Sequence, residues 1–274
     1  MQPRARPLQQ LSEAALRPVL GVLTDIDDTL TRNGTLDPAA AAALDALRAE
    51  GLPVIAITGR PQGWSEPFAR DWPVAAIVAE NGGVALIRDG TRLAIEYAQD
   101  AATRAHNALR LRAAAERVQR EVPGATLARD SAGRVTDIAV DHAEFARLDD
   151  AQIERVVALM RDEGLQATVS SIHVNGWIGT HDKLSGARWI VRRLYGRDLD
   201  AELPRWVYVG DSTNDQAMFG HFPLSVGVAN LLHFADRLHT WPAFLADGER
   251  GEGFAQLARA LLVARQRPLS AESR

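Results

Sequence analysis

Three carboxylates stand within four residues at the end of a short apolar run. The run Gly21-Val22-Leu23-Thr24 has the composition of a buried strand, and it leads directly into Asp25, Asp27 and Asp28. Side chains two residues apart on an extended chain point the same way, so Asp25 and Asp27 face one side together. Their mutual repulsion favours a cation between them, and a site with few carboxylates suits Mg²⁺. The spacing predicts a metal site, with a solvent-exposed acidic turn as the alternative. A calcium loop of the EF-hand type is excluded, because its glycine and glutamate positions hold Leu30 and Leu36.

A single lysine stands out in a chain that otherwise uses arginine. Lysine and arginine together number 31, and Lys183 is the only lysine among them. A compact ammonium differs chemically from a planar guanidinium, so a chain that uses lysine once can require it there. Lys183 is therefore a candidate functional residue, and compositional bias with one surviving lysine is the alternative.

The elements that must position these residues alternate between strands and helices. Asp37-Pro38 is a helix start signal, and helices are predicted up to about residue 50 and over 62–70. Apolar runs at 54–57 and 74–79 predict two further strands. This alternation indicates right-handed βαβ units in a parallel sheet, whose ligands bind beyond the carboxyl ends of the strands. The residues expected to join the aspartates at that edge are Thr58, Glu80 and Asn81. For Thr58, a helix-cap role is the alternative.

From residue 85 the pattern becomes that of an inserted α+β unit. Strand-like segments flank Asp89-Gly90, which indicates a β-hairpin. Helices are predicted over 101–121 and 150–163, and strands over 125–129, 135–140, 166–171 and 173–179. The arginines of the first helix lack interleaved aromatic residues, so we expect a solvated helix face and not a nucleic-acid-binding surface.

The parallel sheet resumes after residue 180. A helix is predicted over 184–194, directly after Asp182-Lys183. The strand over 206–209 ends at Gly210-Asp211-Ser212-Thr213-Asn214-Asp215, and a strand over 224–228 and a helix over 253–264 complete the pattern. We therefore expect a core of residues 18–84 and 181–266, a cap of residues 85–180, and loose termini at 1–17 and 267–274.

Composition excludes several classes of protein. A net charge of −4 gives no reason to expect nucleic acid or an anionic membrane as partner. The chain has no cysteine, which excludes disulfides, thiol catalysis and cysteine-ligated zinc. No apolar run is long enough to span a membrane, and no apolar segment follows the first arginines as in a secretory signal. We expect a cytoplasmic protein.

Taken together, the ordered motifs resemble those of the haloacid dehalogenase superfamily of phosphohydrolases. The motifs are Asp25-Ile26-Asp27-Asp28-Thr29, Thr58, Lys183 and Gly210-Asp211-Ser212-Thr213-Asn214-Asp215. The insert between the second and third motifs, entered through Glu80-Asn81-Gly82-Gly83, resembles a type IIB cap. That subgroup includes phosphatases for sucrose, trehalose and mannosylglycerate phosphates. The resemblance implies an α/β fold, a Rossmann-like parallel-sheet core with an inserted α+β cap domain.

The resemblance also implies a role for each motif residue. Asp25 is the expected nucleophile, which forms an aspartyl-phosphate, and Asp27 is the expected general acid and base. Thr58 and Lys183 are expected to bind the phosphoryl oxygens. Mg²⁺ is expected at Asp25, the main-chain carbonyl of Asp27 and Asp211, with Asp215 orienting metal-bound water or Lys183.

Further contacts with substrate are predicted around this centre. His173 and Asn175 share one face of the last cap strand, which leads into Lys183, although a structural role in the cap sheet is the alternative for both. Arg60 is a candidate for a second anionic group of the substrate, with a surface ion pair as the alternative. The remaining predicted contacts are Gly59, Asn81 and Asn214, and a helix-start role is the alternative for Asn214.

Three functions fit these features. The first is Mg²⁺-dependent hydrolysis of a small phosphorylated metabolite, such as a sugar phosphate. The second is a phosphomutase acting on a hexose phosphate. The third is a non-catalytic metabolite-binding module, which is disfavoured because every residue that the chemistry needs is present.

Overall fold

A large central sheet and a smaller inserted sheet organise the molecule. The computed structural model describes residues 5–90 and 92–266. The strands in chain order are β1 Arg6–Pro7, β2 Gly21–Thr24, β3 Thr31–Arg32, β4 Thr35–Leu36, β5 Val54–Ile57, β6 Ala76–Ala79, β7 Val84–Asp89, β8 Arg92–Tyr97, β9 Thr126–Leu127, β10 Asp137–Asp141, β11 Gln166–Val169, β12 His173–Trp177, β13 Trp206–Gly210, β14 Ser225–Gly227 and β15 Phe244–Leu245. The α-helices are α1 Glu13–Leu16, α2 Pro38–Ala49, α3 Gln62–Asp71, α4 Ala101–Glu121, α5 Asp150–Asp162, α6 Lys183–Tyr195, α7 Gln216–His221 and α8 Arg250–Gln266.

The central sheet is mostly parallel. Within the described residues it has nine strands, in the order β1-β15-β14-β13-β2-β5-β6-β7-β8. The pairs from β1 to β6 are parallel, and β7 and β8 are added antiparallel at one side. Strand β2 lies between β13 and β5, so the residues that follow these three strands are neighbours at one edge. The predicted α/β fold with a parallel-sheet core is confirmed.

Side chains of the central strands alternate between two apolar layers. Val22 and Val54 lie in the layer that contains residues of α2 and α8. Leu23 and Ile55 lie in the opposite layer, which contains residues of α6. A strand that is buried on both faces must be apolar at every position, which is why these strands appear in the sequence as continuous apolar runs.

The inserted unit has its own sheet and its own core. Its four strands, counted within the described residues, are antiparallel in the order β11-β12-β10-β9. One apolar cluster joins this sheet to the two long helices, through Leu111 of α4, Val156 of α5 and Val174 of β12. The α+β character predicted for the cap is confirmed.

The β7–β8 hairpin is present, but it belongs to the central sheet. Val78 of β6 pairs with Ala85, and the antiparallel ladder continues through β8. The sequence analysis assigns residues 85–180 to the cap, so its first boundary is too early for this hairpin. The error has a simple cause, since a hairpin signal gives the pairing of its two strands and not the sheet that they join.

The expectation of a loose start over residues 1–17 is wrong for the part that the structure describes. Strand β1 pairs in parallel with β15. Leu8, Leu11 and Leu16 are buried in the same apolar layer as α8. The segment is mostly polar, but these spaced leucines supply one apolar face, and that is enough to bind it to the core. Residues 1–4 and the predicted tail at 267–274 lie outside the described residues.

Candidate active site

The ends of three adjacent strands and the start of one helix meet at one edge of the central sheet. Asp25 follows β2, Thr58 follows β5, Asp211 follows β13, and Lys183 is the first residue of α6. The Lys183 Nζ donates to Oδ1 of Asp25 at 2.6 Å and to Oδ1 of Asp215 at 2.7 Å. The lysine is buried, with 4% of its surface exposed. Residues that are far apart in the sequence therefore form one charged cluster.

This cluster carries more negative than positive charge. Oxygens of Asp25, Asp211 and Asp215 lie within 4.8 Å of one another, and all three residues are buried. Burial raises the pKa of Asp25 to about 7, although the charge of Lys183 opposes the shift. Burial and the nearby Asp25 carboxylate raise the pKa of Asp211 well above its usual value. A divalent cation would relieve this repulsion, and a set of carboxylate oxygens fits a hard cation such as Mg²⁺.

The Asp215 carboxylate connects Lys183 to the loop that follows β13. Its Oδ1 accepts from Lys183 Nζ and from the Tyr208 hydroxyl, the latter at 2.5 Å. Its Oδ2 accepts from the backbone N–H groups of Asp211 and Ser212 at 2.9 and 3.2 Å. A Cβ on Gly210 would lie 2.4 Å from Oδ2 of Asp215, so the turn requires glycine there. With both oxygens engaged, Asp215 is suited to orienting Lys183.

Asp211 has two neutral donors. Thr29 Oγ1 donates to its Oδ1 at 3.2 Å, and Asn230 Nδ2 donates to its Oδ2 at 3.2 Å. Asn230 also donates to the carbonyl oxygen of Asp28 at 3.0 Å. These bonds connect the loop after β2 with the loop after β14 and fix the orientation of the Asp211 carboxylate.

Thr58 and Gly59 form a wall of the same cavity as Asp25 and Asp27. Thr58 is buried, and its Oγ1 accepts from the backbone N–H of Arg60 at 3.0 Å. A Cβ on Gly59 would lie 2.8 Å from Nδ2 of Asn175 and 3.3 Å from Oδ1 of Asn81. Within the described residues, the buried Nδ2 of Asn81 and Oδ1 of Asn175 have no hydrogen-bond partner. Such unpaired polar atoms are costly when buried, so a polar ligand at this wall would satisfy them.

Asp27 and Arg60 form an ion pair at the junction of core and cap. Arg60 Nε lies 3.0 Å from each carboxylate oxygen of Asp27, and Nη2 donates to Oδ1 at 2.9 Å. The same guanidinium contacts two acidic side chains of the cap, Asp130 at 3.1 Å and Glu144 at 2.8 Å. The predicted contact of Arg60 with a second anionic group would require it to leave one of these carboxylates.

The predicted cap residues also reach this junction. His173 Nε2 lies 3.0 Å from Oε2 of Glu144, so its ring already has an acidic partner. Asn214 Oδ1 accepts from the Ser212 hydroxyl at 2.8 Å. One narrow cavity brings the predicted residues together, because its lining includes Asp25, Asp27, Thr58, Gly59, Arg60, His173, Asn175 and Asn214. Its lining does not include Asn81, Lys183, Asp211 or Asp215, although Lys183 donates to the lining residue Asp25.

A wider cavity of about 350 Å³ adjoins the narrow one. Asp27, Arg60 and Ile172 line both cavities, so Asp27 lies between them. The outer cavity is also lined by Glu144 and Arg147 from the cap and by Arg250, whose Nε donates to Oδ1 of Asp28 at 2.8 Å. The arrangement offers a small inner space beside Asp25 and a larger outer space beyond Asp27.

The sequence assigns no role to several residues of the site. They are Thr29, Tyr208 and Asn230 around the aspartates, and Asp130 and Glu144 from the cap. Thr29 lies inside the first motif, and Tyr208 lies on the strand before Asp211, so proximity to a motif was a usable signal for both. Glu144, Asp130 and Asn230 are remote in sequence, and only the packing of the cap and the last core loops brings them here.

Comparison with known proteins gives one family match, over part of the chain. Residues 22–115 match the haloacid dehalogenase-like hydrolase family. No curated protein matches the sequence. Within the described residues, no helix is both long enough and apolar enough to cross a membrane.

Solved structures share the fold over nearly the whole chain. The sucrose-phosphatase of Synechocystis sp. PCC6803, solved with sucrose and phosphate, has a TM-score of 0.63 at 15% identity, covering 88% of this chain and 97% of that chain. A sugar phosphatase of haloacid dehalogenase subclass IIB has a TM-score of 0.59 at 15% identity, covering 89% and 99%. A trehalose-6-phosphate phosphatase related protein has a TM-score of 0.58 at 15% identity, covering 90% and 99%. At such identities the likeness establishes the fold alone, and the match to the haloacid dehalogenase-like hydrolase family extends over residues 22–115.

Proposed function

We propose that the protein hydrolyses a small phosphate monoester, with a sugar phosphate as the preferred class of substrate, in a reaction that requires Mg²⁺. The observation that carries the proposal is the ammonium of Lys183 bound to Asp25 within a buried acidic cluster, next to a cavity lined by Asp27 and Thr58. Hydrolysis of such esters in water is extremely slow, so the site must supply a large reduction of the barrier.

In the first step, a carboxylate oxygen of Asp25 attacks phosphorus and the bond from phosphorus to the ester oxygen breaks. Asp27, between the inner and outer cavities, must enter this step protonated, and it gives that proton to the departing alkoxide. In the second step, Asp27 takes a proton from water, which attacks the acyl-phosphate and regenerates Asp25. Lys183 and Thr58 hold the phosphoryl oxygens, and Lys183 offsets the charge that develops on them.

The acidic cluster supports the dependence on Mg²⁺. Asp25 and Asp211 would hold the ion, with the main-chain carbonyl of Asp27 as a further ligand, and Asp215 would orient Lys183. When bound, the ion neutralises charge on the phosphoryl group and shields Asp25 from the anionic substrate. Removal of divalent cations with a chelator should therefore abolish turnover.

A sugar phosphate suits the two-cavity arrangement. The outer cavity of about 350 Å³ has charged and polar walls for a hydroxylated leaving group, whereas the inner cavity of about 10 Å³ would have to widen to admit a phosphoryl group. The neighbours named as a sucrose-phosphatase and a subclass IIB sugar phosphatase point to the same class of substrate. A cytoplasmic location stays a prediction.

The test is a screen of phosphorylated metabolites for release of inorganic phosphate, with Mg²⁺ and with EDTA. We expect Mg²⁺-dependent release from at least one sugar phosphate, and a loss of about 10³-fold or more in kcat for Asp25→Asn, which lacks the nucleophile. If the protein releases phosphate from no ester, or if Asp25→Asn keeps full activity, the proposed hydrolysis is wrong.

A phosphomutase would use a similar centre and remains the second candidate. It would convert a hexose 1-phosphate to the 6-phosphate without net release of phosphate. Analysis of the sugar product alongside the phosphate assay separates the two reactions.

A further inference from the structure

One guanidinium joins the predicted acid/base residue to the cap. Arg60 and Asp27 belong to loops of the core, whereas Asp130 and Glu144 belong to the cap. Arg60 directs Nε and Nη2 to Asp27, and it directs Nη1 and Nη2 to the two cap carboxylates. A planar guanidinium with its donors engaged on three sides is held in one position.

The surroundings of Arg60 are buried and charged. The Arg60 side chain is 5% exposed, and those of Asp27 and Glu144 are 15% and 21% exposed. Burial alone would raise the pKa of Glu144, but the hydrogen bonds from His173 and Arg60 outweigh this and lower the pKa to about 2. Glu144 is therefore ionised at neutral pH, and its charge is compensated by Arg60.

Glu144 lies in a loop that is held by the carboxylate of Asp141. The carboxylate of Asp141 accepts backbone N–H groups from four successive residues, 143 to 146, at 2.9 to 3.2 Å. Asp141 itself ends strand β10 of the cap sheet. The Glu144 carboxylate is thus fixed relative to the cap, and its contact with Arg60 depends on where the cap lies.

We propose that Arg60 is the positioning residue that aligns Asp27, and that Glu144 of the cap secures Arg60 in that role. If the cap moves away, Arg60 loses Glu144 and Asp130 together, and the guanidinium is then held by Asp27 alone. An aligned acid/base residue therefore exists only when the cap covers the site. The inference rests on the proposed function, because it concerns the reaction proposed there.

Two variants test this, Glu144→Gln and Arg60→Lys. Glutamine keeps the shape of Glu144 but removes its charge, and lysine keeps the charge of Arg60 but not its several donors. Arg134→Lys is the matched control, because Arg134 is also buried at the junction and bonds to Asp130, Asp137 and the carbonyl oxygen of Gly59. All three proteins are compared for thermal midpoint, kcat and KM.

The decisive measurement compares two leaving groups. The departing alkoxide of a sugar phosphate needs a proton from Asp27, whereas the acidic phenol of 4-nitrophenyl phosphate leaves readily without one. We expect Glu144→Gln to lower kcat/KM about tenfold, and Arg60→Lys about a hundredfold, for the best sugar phosphate of the screen. For 4-nitrophenyl phosphate the losses should stay within about threefold. Arg134→Lys should lower the thermal midpoint and change kcat/KM for both substrates by the same factor.

Other results would overturn the inference. If the Arg60 and Glu144 variants lose kcat/KM equally for both substrates, the ion pairs of Arg60 only stabilise the structure. A rise in KM at unchanged kcat, restricted to substrates with a second anionic group, means that Arg60 binds substrate directly. An absence of phosphate release by the unmodified protein is a different result, because it refutes the proposed function itself.

Discussion

At the scale of single residues, Lys183 is the clearest case of a side chain whose chemistry cannot be exchanged. Its ammonium lies between Asp25 and Asp215, with both contacts at or below 2.7 Å and almost no exposure. A guanidinium carries the same charge but is larger and planar, so it cannot occupy the same point between two carboxylates. The use of lysine only here is consistent with that requirement.

We expect Lys183→Arg to lower kcat by about 10³-fold, because the charge facing the phosphoryl oxygens would be displaced. Arg188→Lys on the same helix is the control, since Arg188 is exposed and pairs with Asp200 on the surface. The control should keep kcat within about twofold. Steady-state kinetics on the best substrate of the screen checks both, and a fully active Lys183→Arg enzyme would contradict the role given to the ammonium.

How much of the site the sequence could predict depends on where each residue lies. Asp25, Thr58 and Asp211 directly follow apolar strands, and parallel strands bring such residues to one edge. Glu144 lies in a cap loop with no motif near it, and its contact with Arg60 depends on how the cap sits on the core. Side-chain pairing between separately folded sheets is not encoded in local spacing, so sequence patterns did not reveal it.

At the scale of elements, local sequence predicts the helices and strands themselves, whereas their pairing depends on distant segments. The long Ala/Arg-rich pattern predicts helix α4 over 101–121, and the structure has it over Ala101–Glu121, with the Asp100 side chain capping its start. The β7–β8 hairpin was recognised, but its place in the central sheet depends on pairing with β6. The segment before β2 is ordered although most of its residues are polar, because its few leucines pack in the same apolar layer as α8.

We expect Leu16→Ala to lower the free energy of unfolding by about 2–5 kcal/mol, since Leu16 is 1% exposed and lies in the apolar layer with α8. Leu109→Ala is the control, because Leu109 is 69% exposed and its truncation should change the free energy of unfolding by less than about 0.5 kcal/mol. Urea unfolding measures both. Equal effects would mean that the segment before β2 contributes nothing to stability.

At the scale of the whole molecule, the acidic cluster sets a balance between stability and function. Asp25 and Asp211 are buried side by side with pKa values raised above their usual range. The folded protein without metal therefore holds protons that the unfolded chain releases. The contribution of Asp25 to stability must therefore fall as the pH rises from about 4, where unfolded aspartates titrate, to about 7, its pKa in the folded protein.

Thermal midpoints measured in EDTA across this pH range test the balance. We expect the midpoint of Asp25→Asn minus that of the unmodified protein to increase as the pH rises from about 4 to about 7 and then to level off, because the variant has no charge to bury at this position. Saturating Mg²⁺ should raise the midpoint of the unmodified protein more at pH 8 than at pH 5, since protons compete with the ion. A difference that is independent of pH would show that Asp25 titrates normally in the folded state.

The use of one lysine in the chain has a practical consequence. An amine-reactive reagent has a single lysine side chain to acylate, and that amine is bound to Asp25 and almost inaccessible to solvent. The extent of labelling in the intact protein therefore reports how often this amine becomes exposed, with the α-amino group as the only background. Mass spectrometry of the labelled chain can thus measure the rate at which Lys183 becomes exposed, without the introduction of any probe.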